Sequence, residues 1–323
     1  MDESKGRVLL ITGSGRSGST ILDNVLGQVP GFFSCGEIRY IWERGFRADR
    51  LCGCGRPFSE CPFWHDVIGE AFGGRNGVDP NRMIELQNMI TRARQVPATL
   101  TRGGGKRLQE RVQEYRHNLE KLYRAIRSRS GADVVIDSSK LPSYGYVLTT
   151  LDSLDVRAVQ LVRDARATAH SWGRKKELPD FKDQRYMQRF GPAKAAVLWE
   201  MWNGVAQAYW RKAPDRYLRI RYEDFIRAPE EIVRDIVGLF GHRLDEPLFG
   251  PNNTIELEAN HTVAGNPSRM KTGQIALRSD DEWVRKMSSR NKMVVTAIAW
   301  PLLRRYGYPL KAGAGDRASV PSS

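Results

Sequence analysis

The stretch Val8-Leu9-Leu10-Ile11-Thr12-Gly13-Ser14-Gly15-Arg16-Ser17-Gly18-Ser19-Thr20 decides how this chain is read. An apolar run enters a loop of glycines and small hydroxyl residues, and the amphipathic run 21–29 follows. That order is strand, anion-binding loop, helix. Glycine lets the backbone approach a ligand closely, and a helix N-terminus offers unpaired N–H groups and the positive end of a dipole. Two readings of the loop stand side by side. Gly13-x4-Gly18-x-Thr20 has the spacing of a nucleotide phosphate loop, with Ser19 where the usual lysine sits. Gly13-x-Gly15-x-x-Gly18 has the spacing of a dinucleotide fingerprint, with Glu37 about where a ribose-binding carboxylate falls.

The 323 residues suffice for one large α/β domain with insertions, expected over 1–310. A net charge of +14 favours anionic partners: nucleic acid, a membrane surface or a multiply charged small molecule. No run approaches the ~20 apolar residues of a membrane span. The short polar start predicts no signal peptide, and with it a cytoplasmic location. The Gly/Ala/Ser-rich tail 311–323 is expected to be disordered.

Short apolar or β-branched runs predict strands at 8–11, 134–136, 156–161 and 217–220. Helical patterns separate them, so the expected architecture is α/β: a mostly parallel sheet flanked by helices. In such sheets the ligand lies beyond the carboxyl ends of the strands. Residues 76–130 read as a helical insertion, with Leu108, Val112, Tyr115, Leu119, Leu122 and Ile126 at spacings of three and four. The span 75–129 holds 13 Lys/Arg against 5 Asp/Glu. It is therefore expected to be a solvated hairpin or a basic lid over an anionic acceptor, with Gly103-Gly104-Gly105 as a hinge. A helix over 193–211 carries Trp199, Trp202 and Trp210 as core or pocket wall.

Polar and basic residues follow each strand. They are Asp137-Ser138-Ser139-Lys140, then Arg163-Asp164-Ala165-Arg166 with Ser171 eight residues after Arg163, then Arg221-Tyr222-Glu223-Asp224. Gly265-Asn266-Pro267-Ser268-Arg269 to Gly273 comes late in the chain. With these in place, the chain resembles the sulfotransferases that use 3′-phosphoadenosine 5′-phosphosulfate (PAPS), from Val8 to about Tyr308. The resemblance implies a P-loop-like sulfotransferase fold. It assigns Gly15, Arg16, Ser17, Gly18, Ser19 and Thr20 to the 5′-phosphosulfate, Arg163 and Ser171 to the 3′-phosphate, and Arg269 to a late basic loop over the nucleotide. The Arg221 to Asp224 element is implied to be structural.

The family's cytosolic branch carries a lysine in the loop and a tryptophan just after it, where this chain has Arg16 and Ile21. Arg16 is similar to the tyrosylprotein and bacterial branches. Cys35-Gly36-Glu37 resembles the Cys-Gly-Glu context of the tyrosylprotein branch, and that likeness implies Glu37 as general base, in preference to His170 or His117. Sulfuryl transfer needs positioning and electrostatics, so Arg16 and Lys140 are expected to stabilise charge on the departing oxygen. No metal is expected, since the donor carries no γ-phosphate. The implied acceptor is a small-molecule, glycolipid or peptide hydroxyl. A small-molecule kinase is weakened by Ser19 at the loop lysine position, and a dinucleotide oxidoreductase by Arg16 inside the turn. A non-catalytic anion or nucleic-acid binder stays open through the basic insertion.

Cys52, Cys54, Cys61 and His65 place three thiols and an imidazole close together in sequence. Zinc, a disulfide and plain thiols are all compatible with them, but C-x-C is not the usual C-x2–4-C knuckle, so no bound metal is expected. A similar loop in the bacterial relatives implies a role in the fold. His242 and His261 carry no signal.

Overall fold

Gly6–Thr12 (β1) is the middle strand of a five-stranded sheet in a computed structural model that describes residues 5–91, 106–178 and 186–310. Val8 to Ile11 are buried on both faces, which is why they read as an unbroken apolar run and not as an alternation. Phe32–Ser34 (β2), Val134–Lys140 (β3), Leu154–Val162 (β4) and Tyr217–Arg221 (β5) complete the sheet. The order is β2-β3-β1-β4-β5, and every pairing is parallel. The chain leaves β1 for β2 and β3 on one side and reaches β4 and β5 on the other. The strand order therefore reverses at β1, the switch point where parallel sheets open a ligand crevice.

Alternate residues of each strand feed two separate cores. Val8, Leu10, Val135, Val156 and Ala158 face the helices Pro62–Phe72, Pro80–Ile90 and Lys106–Ser130. Leu9, Ile11, Ile136, Val159 and Leu161 face Ser19–Leu26, the helix after the glycine loop, and the segment around Phe225 to Phe240. Helices on both faces of a parallel sheet give the α/β architecture the sequence predicts.

The helical insertion differs from both of its expected forms. Val112, Tyr115, Leu119, Leu122 and Ile126 are buried in the core shared with β1 and β3, and Leu108 packs against it. The helix's apolar stripe is part of the domain's interior, while Lys106, Arg107, Arg124 and Arg129 are exposed and Arg111, Arg116, Lys121 and Arg127 half-buried. The glycines 103–105 and the tail 311–323 lie outside the described residues. The short edge strand β2 and an antiparallel pair, Thr254–Leu257 with Gly273–Ala276, escaped the sequence reading. Three or four residues are too few for a period to show. Among the described residues no helix is long and apolar enough to cross a membrane.

Candidate active site

The loop after β1 is shaped by glycines that admit no side chain. At Gly18, φ is +95°, and a Cβ there would lie 2.5 Å from the Tyr222 ring; at Gly15 it would lie 2.8 Å from Trp172. Arg16 adopts a left-handed φ of 68°, unusual for a residue with a side chain. Its guanidinium lies 5.0 Å from the Trp172 ring centroid, and Nη2 donates to Met187 Sδ at 3.3 Å. Among the described residues Nη1 is buried without a hydrogen-bond partner, as is Ser17 Oγ.

Glu37 reaches the same place by an extension of the sheet. Beyond β2, Cys35 N–H donates to the Ile136 carbonyl (3.1 Å), and Ser138 N–H donates to the Gly36 carbonyl (2.9 Å). Arg39 N–H donates to Ser139 Oγ at 3.0 Å. The ladder thus continues past the strand ends and sets Glu37 beside Lys140, the last residue of β3. Lys140 also has a left-handed φ, 65°, and its backbone carbonyl accepts from Thr12 Oγ1 at 3.0 Å. Lys140 Nζ donates to Glu37 Oε1 at 2.6 Å and to the Ser138 carbonyl at 2.9 Å. Arg16 and Lys140, both expected in catalysis, hold backbone conformations of a kind that clusters at functional sites.

A cavity of about 440 Å³ opens over these groups. It is lined by Gly15, Arg16, Gly18, Ser19, Thr20, Glu37, Lys140, Arg163 and Ser171, so the structure brings together most of the residues expected from the sequence. Arg163 extends from the end of β4. Its guanidinium donates to the Asp280 carbonyl (2.9 Å), pairs with the Asp280 carboxylate (3.2 Å) and stacks 4.7 Å from the Tyr222 ring. Ser171 comes from the helix Ala165–Gly173. Asp164 caps that helix by accepting from Arg166 N–H at 2.7 Å.

Arg269 departs from its expected place. It is buried, does not line the cavity, and donates to the carbonyls of Leu51 (2.6 Å) and Thr262 (3.3 Å). The late loop instead contributes Gly265, Asn266 and Ser268 to the wall. Basicity shows that a residue carries charge, and gives no sign of which way it points. His65 also departs. It is exposed on the helix Pro62–Phe72, with Nδ1 3.5 Å from Asp66, while His261 lies beside the three cysteines.

The sequence reading missed Arg39, Arg44, Arg174 and Lys176. With Arg16, Lys140 and Arg163 they make seven cations in the lining, against the carboxylates of Glu37 and Asp280. The run Arg174-Lys175-Lys176 after the helix was the available signal. Burial and the neighbouring Arg16 and Arg174 push the Lys176 pKa down to about 8. Burial and Arg174 likewise lower that of Arg16. At Lys176 and Arg16 the neighbouring cations thus add to the cost of charge, and the concentration of positive groups favours a multiply charged anion. For Glu37, burial works to raise the pKa. The charges of Lys140 and Arg44, the Lys140 hydrogen bond and Arg269 outweigh it and hold the carboxyl below the usual range.

A model of the sulfotransferase family matches residues 56–246, more than half of the chain. The chain belongs to the sulfotransferase family. The match includes Lys140, Arg163 and Ser171, and it begins after the glycine loop and Glu37. The sulfotransferase domain of the olefin synthase of Synechococcus PCC 7002 shares the fold, with TM-score 0.53 and 21% identity over 95% of this chain and 97% of that one. A sulfotransferase domain from the curacin biosynthetic pathway aligns with TM-score 0.49 and 15% identity over 95% and 99%. No curated protein sequence matches the chain. This sulfotransferase is accordingly an enzyme of sulfate transfer. Its lining contains no histidine among the described residues: His117 is exposed, and His170 lies outside the cavity with Nε2 3.7 Å from Glu282.

Proposed function

We propose that the enzyme moves a sulfuryl group from PAPS to an acceptor hydroxyl by in-line displacement, with Glu37 as general base. The observation that carries this reading is the Lys140–Glu37 pair beside the glycine loop in a cavity of seven cations. The residues suit the donor. Among the described residues Arg16 Nη1 is a buried cationic N–H without a partner, and Gly15, Gly18, Ser19 and Thr20 line the cavity beside it, where backbone N–H groups at the start of the helix can receive phosphosulfate oxygens. Arg163 and Ser171 would hold the 3′-phosphate.

In this reaction the bond from sulfur to the phosphate's bridging oxygen breaks as the acceptor oxygen bonds to sulfur. The acceptor proton passes to Glu37. Arg16 and Lys140 stabilise the charge left on the bridging oxygen. Lys140 has two roles that exclude each other. While it pairs with Glu37 the carboxylate is a weak base. When its ammonium turns to the departing oxygen, burial acts on Glu37 with less opposition and its basicity rises. The chemistry asks for no metal, since there is no γ-phosphate to neutralise.

Tyr40, Leu141 and Trp202 also line the cavity and supply an apolar wall for a small-molecule, glycolipid or peptide acceptor. The testing experiment is sulfate transfer from labelled PAPS across acceptors of these classes, with calorimetric titration of adenosine 3′,5′-bisphosphate. Absence of nucleotide binding defeats the reading.

A further inference from the structure

Outside the cavity lining, three thiols and an imidazole converge on one point. The ligand atoms of Cys52, Cys54, Cys61 and His261 all lie within 4.8 Å of one another. His261 Nδ1 is 3.3 Å from Cys61 Sγ and 3.8 Å from Cys52 Sγ, and the sulfurs of Cys54 and Cys61 are 3.8 Å apart. A tetrahedral zinc, with Zn–S about 2.3 Å and Zn–N about 2.0–2.1 Å, has edges of about 3.8 Å between sulfurs and about 3.5 Å from sulfur to nitrogen. Three of the cluster's edges lie within about 0.3 Å of those values, and the others are no longer than 4.8 Å. A disulfide would bring two sulfurs to about 2.05 Å, and all four cysteines of the chain are free thiols.

The backbone is built around the cluster. Gly55 takes a φ of +83°, and Cys52 N–H donates to the Arg56 carbonyl at 2.8 Å, closing a tight turn behind the C-x-C pair. A Cβ on Gly53 would lie 1.9 Å from Asn260 Oδ1, so only glycine lets the turn press against the segment carrying His261. Gly53 N–H donates to the Thr262 carbonyl at 2.9 Å, and Trp64 Nε1 to the His261 carbonyl at 2.8 Å. The His261 ring stacks on Phe63, with centroids 5.0 Å apart.

We infer that Cys52, Cys54, Cys61 and His261 form a structural Cys3His zinc site that clips the cysteine loop to the late loop. Three soft sulfurs and an imidazole select zinc over hard cations. Four protein ligands close the coordination shell, which marks a structural ion and separates this site from the sulfate chemistry. The clip fastens a segment that matters. The late loop meets the site where Glu37 N–H donates to the Ala264 carbonyl at 3.2 Å, and Arg269 ties that loop to Leu51. The C-x-C spacing concealed the site because its fourth ligand comes from about two hundred residues away.

The test is elemental analysis of the full chain purified without added metal. About one zinc per chain is expected, with a fall in Tm on chelation. Cys54→Ser and His261→Ala should each lose most of the metal, while His65→Ala keeps it. Should those variants fail to fold, wild-type protein denatured with chelator decides the matter: it should refold with zinc. With cobalt it should show thiolate charge-transfer and tetrahedral d–d absorption. Metal-free protein with an unchanged Tm in chelator overturns the inference. So do a disulfide found by mass spectrometry, iron in place of zinc, or a His65→Ala variant that loses the metal.

Discussion

Lys140 Nζ sits 2.6 Å from Glu37 Oε1, at the ends of two neighbouring strands and with both side chains about nine-tenths buried. Such a pair costs desolvation that its attraction repays only with good geometry, so it is weak evidence for stability. Its value lies in chemistry. It holds a carboxylate ionised and an ammonium in place beside the glycine loop, and in the proposed reaction each would act on a different atom.

Glu37→Gln should abolish turnover and spare the nucleotide. The amide keeps an oxygen for Lys140 to bond, so the site retains its shape while losing its base. The expected loss in kcat is on the order of 10²–10⁴-fold. The measurements are transfer at saturating donor and calorimetry with adenosine 3′,5′-bisphosphate. Turnover near that of the wild type removes Glu37 from the role of base.

The pair also predicts a pH effect with a definite sign. With Glu37 as the proposed base, transfer would require its ionised form, so the rate should fall as pH drops through its pKa. In the wild type that fall should come below the ordinary glutamate range, because Lys140, Arg44 and Arg269 together overcome burial. In Lys140→Met two of the four influences favouring ionisation disappear, the Lys140 charge and its hydrogen bond, while burial stays. The acid limb of kcat/KM should then move to higher pH, beyond any overall loss of rate. A limb that stays where it was separates Lys140 from Glu37. Stability follows the same sign: the contribution of ionised Glu37 is present above its unfolded pKa and is lost as pH falls through the lowered folded one.

How much of this could be read beforehand depended on what fixes each residue. β1 was legible because burial on both faces demands an unbroken apolar run, and Gly15 and Gly18 because close packing on Trp172 and Tyr222 leaves room for nothing larger. Glu37 was reached through its Cys-Gly-Glu context, while the ladder to β3 that sets it beside Lys140 has no sequence signature. Arg39 and Arg44 enter the cavity from a short 3-10 turn and a π-helix, and Lys176 from a stretch without secondary structure, none of which has an α-helical or strand period to say which side chain points inward. Arg269 and His261 show the limit most clearly. Both are placed by the late loop folding back on the cysteine turn, a long-range contact invisible to spacing rules.

Leu119→Ala should destabilise the fold by about 2–5 kcal/mol, the usual cost of a large-to-small change in a packed core. Leu119 is buried with Tyr115, Leu122 and Ile126 in the core that includes Val8 and Val135. Denaturant unfolding followed by circular dichroism gives the number. A change within about 0.5 kcal/mol, the range of ordinary surface substitutions, would make the helix Lys106–Ser130 the solvated appendage its charge suggests.

Arg163→Ala and Ser171→Ala should weaken product-nucleotide binding more than they slow transfer at saturating donor. Both side chains line the cavity, and Arg163 is buried with its guanidinium oriented by Asp280 and the Tyr222 ring. Losing a charge-assisted hydrogen bond to a phosphate costs about 1.5–3 kcal/mol, roughly a ten- to hundredfold rise in Kd. Asp280→Asn supplies the opposing test. Its carboxylate draws on Arg163 and Arg174 and adds negative charge to the lining. Neutralising it should leave affinity for adenosine 3′,5′-bisphosphate unchanged or tighter, and increase the salt dependence of binding. Calorimetry at two ionic strengths measures all three variants. Unchanged affinity in both Arg163→Ala and Ser171→Ala would move the 3′-phosphate elsewhere, with Arg174 and Lys176 as the next cations to examine.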